Sequence, residues 1–363
     1  MARRLSLPED LLTEIYRCFR CGYCRSACPT FAIKGSESWN ARGRLILARA
    51  LLEGQIEAEA GLLDRLFSCN SCRACEAVCP AVVRIVDALV AFKSALISSG
   101  VRPPANILRL RDAIVEEGNP FAREARDFEV RGDGKEVLVF AGCVASELEP
   151  VVLKAVEKVL EAAEIPYSVL EGPCCGAPLY SMGFKADAER AARRLADKIR
   201  AYGAEKVITP CPMCLSALER HLGPAVEHTT TFFRRLLRDG RLVLRRKVEL
   251  KATYHDPCVL GRRLGTYEAP RELIWHSGLT LVEMRRNKAN SACCGYGHLN
   301  FLAYPELSDA IARRRVLEAL DTGADVLLTA CPSCLHALSR AAREVARGLA
   351  VSDVSEVLAE LAT

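Results

Sequence analysis

Beyond Gly134 the apolar residues alternate between short continuous runs and 3.6-residue spacing. The runs Glu136–Phe140, Tyr167–Leu170 and Lys206–Thr209 have the length of buried strands. Between them, Glu147–Ala163 and Phe184–Tyr202 gather their apolar residues on one helical face. Pro212, directly after Cys211, opens a further helix, because proline at the first helical position gives up an N–H that has no partner there. This alternation predicts a parallel sheet covered by helices. The pattern then returns: Lys206-Val-Ile-Thr-Pro-Cys211-Pro-Met-Cys214-Leu-Ser-Ala-Leu218 recurs as Val326-Leu-Leu-Thr-Ala-Cys331-Pro-Ser-Cys334-Leu-His-Ala-Leu338. Gly203-Ala204 is matched by Gly323-Ala324, Cys174-Cys175-Gly176 by Cys293-Cys294-Gly295, and Cys143 by Cys258. Val226–Leu237 resembles Val351–Leu361, so each half is expected to close on a similar helical element. Self-similarity of this length predicts a duplicated α/β unit.

The first hundred residues read differently. Arg42–Glu57 has the spacing of an amphipathic helix. Ile85–Ile97 is the longest apolar stretch, but Asp87 and Lys93 interrupt it, and it falls short of the roughly 18 apolar residues of a membrane span. The N-terminal MARRLSLPEDLL lacks the apolar centre of a secretory signal. Between Gly100 and Gly134, Arg102-Pro103-Pro104 and Gly132-Asp133-Gly134 frame a stretch without cysteine. The expected architecture is an α+β/α-β multidomain chain. A helical domain over residues 1–100 and a linker over 101–134 precede two α/β repeats with parallel sheets, over 135–250 and 251–363. A cytoplasmic chain is expected.

Composition sharpens this picture. The 363 residues contain 18 cysteines, too few for a small disulfide scaffold and too many for packing alone. In a reducing compartment, clustered cysteines point to metal or redox centres. Fifty Lys and Arg against 45 Asp and Glu leave +5, interspersed, which excludes a nucleic-acid partner as the main reading.

Cys18-x2-Cys21-x2-Cys24-x3-Cys28-Pro29 is repeated as Cys69-x2-Cys72-x2-Cys75-x3-Cys79-Pro80. Three closely spaced thiolates wrap three corners of a [4Fe–4S] cubane, and the cysteine before proline crosses to the other cluster. The expected sets are Cys18, Cys21, Cys24 and Cys79 for one cubane, and Cys69, Cys72, Cys75 and Cys28 for the other. Zinc is the alternative, but a tetrahedral site seldom takes three ligands from seven consecutive residues.

In each repeat, five thiols follow three strand ends: Cys143, Cys174, Cys175, Cys211 and Cys214, then Cys258, Cys293, Cys294, Cys331 and Cys334. Parallel sheets collect their ligands at the carboxyl ends of strands. Cys214 and Cys334 fall in first helical turns, where the helix dipole favours thiolate. Gly176, Gly295 and Gly297 are expected to let backbone approach a bulky centre. Five soft donors exceed the needs of one zinc or one simple cubane; either of these with a spare packed cysteine is the alternative. No G-x-G-x-x-G dinucleotide fingerprint is present, so electrons must come from another polypeptide.

The two five-cysteine patterns resemble the CCG motif of the heterodisulfide reductases, and the whole arrangement is similar to their D-subunit family. The wider resemblance takes in iron–sulfur subunits of glycolate, lactate and anaerobic glycerol-3-phosphate dehydrogenases, and the K subunit that partners dissimilatory sulfite reductase. The D-subunit resemblance implies that each five-cysteine set holds a noncubane [4Fe–4S] cluster. It also implies that electrons pass through the two cubanes to this pair, which reduces or forms a thiol disulfide such as CoM-S-S-CoB. Each noncubane cluster then supplies one electron and takes one sulfur. A separate electron-donor subunit, a membrane cytochrome b or a flavoprotein, is implied, and through it peripheral attachment at the inner face of a membrane. The alternative within the resemblance is an electron-transfer subunit of an FAD-linked dehydrogenase or a sulfur-metabolism membrane complex, without a substrate of its own. His298 is a candidate proton donor to a departing thiolate, or else a cap for its loop. His255, with Asp256, is a candidate to act at, or to orient, the loop of Cys258. Many members place His after that cysteine, where this chain has Val259. Arg262-Arg263 and Arg285-Arg286-x-Lys288 are candidate attractors of an anionic substrate or partner, or solvated faces.

Overall fold

The helical N-terminal region is built from short segments around one long apolar helix. The computed structural model describes residues 5–121 and 128–362; Met1–Arg4, residues 122–127 of the expected linker, and Thr363 lie outside the described residues. Asn40 caps the helix Ala41–Leu52 by accepting from the Gly43 amide at 2.9 Å. That helix stops at Leu52, short of the expected Glu57, because Gly54 turns the chain in the left-handed region (φ +70°). Ile85–Ser98 is buried on nearly every side, Lys93 included, so its apolar run serves a protein interior. Among the described residues, no helix is long and apolar enough to cross a membrane.

Residues 101–134 contain the helix Ala105–Glu116, whose Ile107, Leu110 and Ile114 join the N-terminal core, and an edge strand, β1 (Glu129–Arg131). The first sheet continues with β2 (Val137–Phe140), β3 (Tyr167–Glu171), β4 (Lys206–Thr209) and β5 (Val226–His228), in the order β1-β3-β2-β4-β5. Only β1 is antiparallel, against β3. The second sheet has β6 (Lys251–Tyr254), β7 (Thr280–Leu281), β8 (Val326–Thr329) and β9 (Ala350–Asp353) in the order β7-β6-β8-β9, all parallel. The α/β expectation for both repeats holds. Two details differ. Pro150 starts a fresh helix, so Glu147–Ala163 splits into Cys143–Glu147 and Pro150–Ala162. The repeat tails open on strands, not helices, because β5 and β9 extend the sheets beside β4 and β8 before Thr229–Arg238 and Val354–Ala362 begin.

The two repeats share a core. Val354–Ala362 of the second packs on Pro150–Ala162 of the first, and Thr229–Arg238 of the first packs on Glu268–His276 of the second. One hydrophobic cluster therefore runs from Val137 and Val156 through Tyr254 to Leu358. Leu358→Ala should cost about 2–5 kcal/mol. Thermal unfolding of the intact protein should show both repeats destabilised together; loss confined to the second repeat would contradict the shared core.

Candidate functional site

Cys28 ends the helix Cys24–Ala27 in an extended conformation, and Pro29 starts the next helix, so its thiol leaves the company of its own run. Cys18, Cys21, Cys24 and Cys79 line one small cavity of about 20 Å³. Cys28, Cys69, Cys72 and Cys75 line another of about 20 Å³. Neither cavity is lined by a carboxylate, and all eighteen thiols are free of disulfides. Four soft sulfur donors around one small space fit an iron–sulfur centre. Their surroundings differ. Cys21 is exposed, and Phe19 and Tyr23 beside it are 63% and 65% exposed. The second cavity is interior, where buried Arg44 reaches to 3.9 Å from the Cys28 sulfur and 3.1 Å from Thr30.

In the first repeat, Cys143 follows β2, Cys174 and Cys175 follow β3, and Cys211 and Cys214 follow β4. Their side chains form a continuous series: Cys143 meets Cys174, Cys174 meets Cys175, Cys175 meets Cys214, and Cys214 meets Cys211. The second repeat repeats the series through Cys258, Cys293, Cys294, Cys334 and Cys331, with Cys334 and Cys294 sulfurs 3.3 Å apart. Contact with a neighbouring thiol, and then burial, raises Cys174, Cys175 and Cys334, so these three stay protonated when unliganded and metal would have to displace their protons. The series also connect outward. Cys211 contacts Cys331, joining the two sites, and Cys293 contacts Cys72, joining the second site to the interior ferredoxin cavity.

At Gly142 a Cβ would lie 2.8 Å from the Cys214 sulfur, and its φ is +73°. Gly176 and Gly295 bring their backbone amides to thiols, that of Gly295 lying 3.3 Å from the Cys293 sulfur and that of Gly176 meeting Cys174. They seat their loops on the following helix, against Ala188 and Ser308 respectively, while Gly297 packs on the Asn70 carbonyl of the ferredoxin region.

Asp256 is held by both Arg271 nitrogens, at 2.7 and 3.0 Å, and by the Lys288 amide at 2.8 Å, which fixes the loop ahead of Cys258. His255 is buried beside Cys294 and Cys334. His298 sits in a left-handed conformation (φ 56°), its Nδ1 buried without a partner. Burial, helped by Lys93, pushes it down to about 4, so its imidazole is neutral near pH 7 and stores no extra proton. His298 lines a cavity of about 290 Å³ whose wall also holds Cys175 of the first site and Cys258 of the second.

A π-helical turn, Val259–Arg263, separates the adjacent arginines. Arg262 donates to the Cys72 carbonyl at 2.6 Å and the Ser291 carbonyl at 2.7 Å, stapling the ferredoxin region to the second repeat. Arg263 lines the cavity and donates to Ser216. Arg286 and Lys288 pair instead with Glu318 and Glu268. Sequence reasoning missed Lys185, Arg220 and Met213 in the cavity wall. The first two carry no spacing signal; Met213, between two cysteines where the other repeat has Ser333, does.

The pattern of the cysteine-rich domain family matches residues 137–219 and 252–339, and that of the 4Fe-4S dicluster domain matches residues 14–83. The chain is 30% identical to the D subunit of the dihydromethanophenazine:CoB–CoM heterodisulfide reductase of Methanosarcina barkeri, covering 98% of this chain and 96% of that one. It is 26% identical to the EtfAB:quinone oxidoreductase of Syntrophomonas wolfei over 96% of this chain and 58% of that protein. In fold it is similar to a hypothetical protein from Helicobacter pylori, with a TM-score of 0.63, 10% identity, and coverage of 98% of this chain and 75% of that one.

Gly142→Ala should push Cys214 aside and cost the first repeat its cluster, about four irons per chain. Iron analysis after anaerobic reconstitution checks this; a full iron complement would show that the close approach is not needed.

Proposed function

Since the chain belongs to the D-subunit family of the heterodisulfide reductases, a family of iron–sulfur redox proteins, we propose that it reduces, or in reverse forms, a thiol disulfide in the cavity between its two five-thiol sites. The observation that carries this reading is the cavity wall, where Cys175 and Cys258 bring one thiol from each repeat to the same space. A subunit that only conducts electrons has no use for such a space. The reaction balances as R–S–S–R′ + 2e⁻ + 2H⁺ → R–SH + R′–SH. We assign Cys18, Cys21, Cys24 and Cys79 to one cubane, Cys69, Cys72, Cys75 and Cys28 to the other, and each five-thiol set to a noncubane [4Fe–4S] cluster. When bound, these groups supply one-electron transfer and affinity for sulfur.

The chain's own residues do the rest. Exposed Cys21 marks the edge at which a separate electron donor, a cytochrome b or a flavoprotein, delivers electrons, and a membrane partner would hold the chain at the inner face. The contact of Cys72 with Cys293, and of Cys211 with Cys331, supports an order of transfer from the interior cubane to the second repeat and then the first. Lys185, Arg220 and Arg263 line the cavity, and none forms an ion pair with a carboxylate among the described residues. They attract a disulfide with anionic ends, whereas Arg73 is neutralised by Glu76 and Asp87. Val90, Ala177, Met213 and Val259 give the wall its apolar stretches. Neutral His298 keeps one ring nitrogen on the Ala177 backbone and offers its unpartnered Nδ1 to a thiol proton inside the cavity.

Two measurements test this. Oxidised protein mixed anaerobically with the substrate thiol should develop a new EPR signal that the thiol alone induces. Arg263→Met should raise KM for an anionic disulfide about tenfold or more, the value of a charge-assisted hydrogen bond, with a smaller change in kcat. No thiol-dependent signal and no turnover with any disulfide would leave the chain an electron conduit.

A further inference from the structure

The duplicated sites are alike in their thiols and unlike in what backs them. His255, three residues before Cys258, is 1% exposed and lies within 4.8 Å of the sulfurs of Cys294 and Cys334. Behind it stands Arg315, 0% exposed, whose Nε donates to His255 Nδ1 at 3.0 Å. Arg315 is itself fixed from several sides. It donates to Glu318 at 2.9 Å, to the Arg286 carbonyl at 2.9 Å and to Ser291 Oγ at 3.2 Å.

This contact decides the tautomer. A guanidinium has only donors and stays charged, so the Nδ1 that faces it must carry a lone pair. A neutral imidazole bears its single proton on the other nitrogen. Nε2 is therefore N–H, and it is buried without a hydrogen-bond partner. Among the described residues, the sulfurs of Cys294 and Cys334 stand beside the ring, placed to receive that hydrogen. The same logic removes His255 as a metal ligand, since Nε2 has no lone pair to offer.

The first repeat has neither residue. Counting back three positions from Cys143, as from Cys258, gives Phe140 in place of His255. Gly176 packs on Ala188 and Ala191 where Gly295 packs on Ser308 and Ile311, and this helix register puts Leu195 in place of Arg315. Phe140 and Leu195 are both 0% exposed and belong to one apolar cluster that also contains Cys175, Cys211 and Cys214. A polar, cationic pair thus backs one site, and an apolar pair backs the other.

Resting on the reading that both sites hold iron–sulfur clusters, we propose that Arg315 locks His255 as an N–H donor to the Cys294 sulfur, making the second repeat's cluster easier to reduce than the first's. Hydrogen bonds to cluster sulfurs and nearby positive charge both favour the more negative, reduced state. The second site is also the one whose Cys293 touches Cys72 of the interior ferredoxin cavity. An electron arriving from the partner donor through that cavity is therefore held first at the second repeat. The first repeat, in its apolar surroundings, is the more reducing member of the pair. His255 is on this account a positioning residue that sets a potential, and its partner Arg315 sets the tautomer.

The test uses the full chain with its clusters reconstituted, as unaltered protein, His255→Leu and His255→Gln, each checked for iron. In anaerobic redox titrations followed by EPR, His255→Leu should shift one noncubane couple about tenfold toward its oxidised form, about 59 mV lower for one electron. The other noncubane couple and both cubanes should stay in place, and His255→Gln, which keeps an N–H donor, should restore most of the shift. After exchange into D₂O, ENDOR of that cluster should show a coupled deuteron in the unaltered protein and in His255→Gln, absent in His255→Leu. An unchanged potential in an iron-replete His255→Leu protein overturns the proposal. If His255→Leu does not hold iron at the second site, lack of a coupled deuteron in the unaltered protein overturns it, and its presence there and in His255→Gln supports it. Iron near eight per chain in the unaltered protein would overturn the four-cluster reading itself, and this proposal with it.

Discussion

Bringing ten sulfur atoms to two adjoining points inside a protein is the constraint on which the rest of this structure depends. Parallel strands meet it because their carboxyl ends lie along one edge, and every crossover returns the chain to that edge. β2, β3 and β4 each deliver cysteines from the loop that follows, and β6, β7 and β8 do so again. Thiolates so crowded and so buried would repel one another and lose their hydration, so the arrangement makes sense only with a cation-rich centre among them. The contact of Cys293 with Cys72 extends the same demand to the ferredoxin region. Its docking is fixed by polar staples, not by apolar burial alone. Arg262 grips the Cys72 carbonyl, and Asn300 donates to the Ser68 carbonyl at 3.0 Å and to Asn70 at 2.7 Å.

Duplication supplied two equal sets of thiols, and divergence then gave them different surroundings. Gly142 clears space for the Cys214 sulfur, whereas the matching Pro257 follows an Asp256 held by Arg271. Met213 stands in the cavity wall, and its counterpart Ser333 does not. The polar pair His255–Arg315 faces the site nearest the ferredoxin region, and the apolar pair Phe140–Leu195 backs the other. On the proposed reading, two one-electron centres that share one disulfide bond gain from such inequality, since it orders the arrival of charge.

The sequence made the cysteine groups legible because thiol spacing reflects local chain geometry: three residues apart, a turn or helix start brings sulfurs together. Strands such as Lys206–Thr209 were legible because a short apolar run between helical periods has few other readings. What stayed hidden depends on contacts across the chain. Three-residue strands like Glu129–Arg131 and Val226–His228 exist by pairing with a sheet edge and carry almost no period of their own. Lys185, Arg220 and Arg263 come from separate elements, and only the packed molecule shows that they share a cavity. Arg262 and Arg263 read as one basic pair, yet the π-helical turn sends them to opposite tasks. The tautomer of His255 depends on Arg315, which no local pattern announces.

Fourteen thiols, those of the interior ferredoxin cavity and of both repeats, form one continuous path, joined at Cys72–Cys293 and at Cys211–Cys331. Stepwise anaerobic reduction of the reconstituted chain, followed by EPR at each step, tests it most directly. The account predicts that reducing the interior cubane splits or broadens the signal of the second repeat's cluster, because spins in contact through adjoining ligands interact magnetically. Four signals that stay narrow and independent throughout the titration would contradict it.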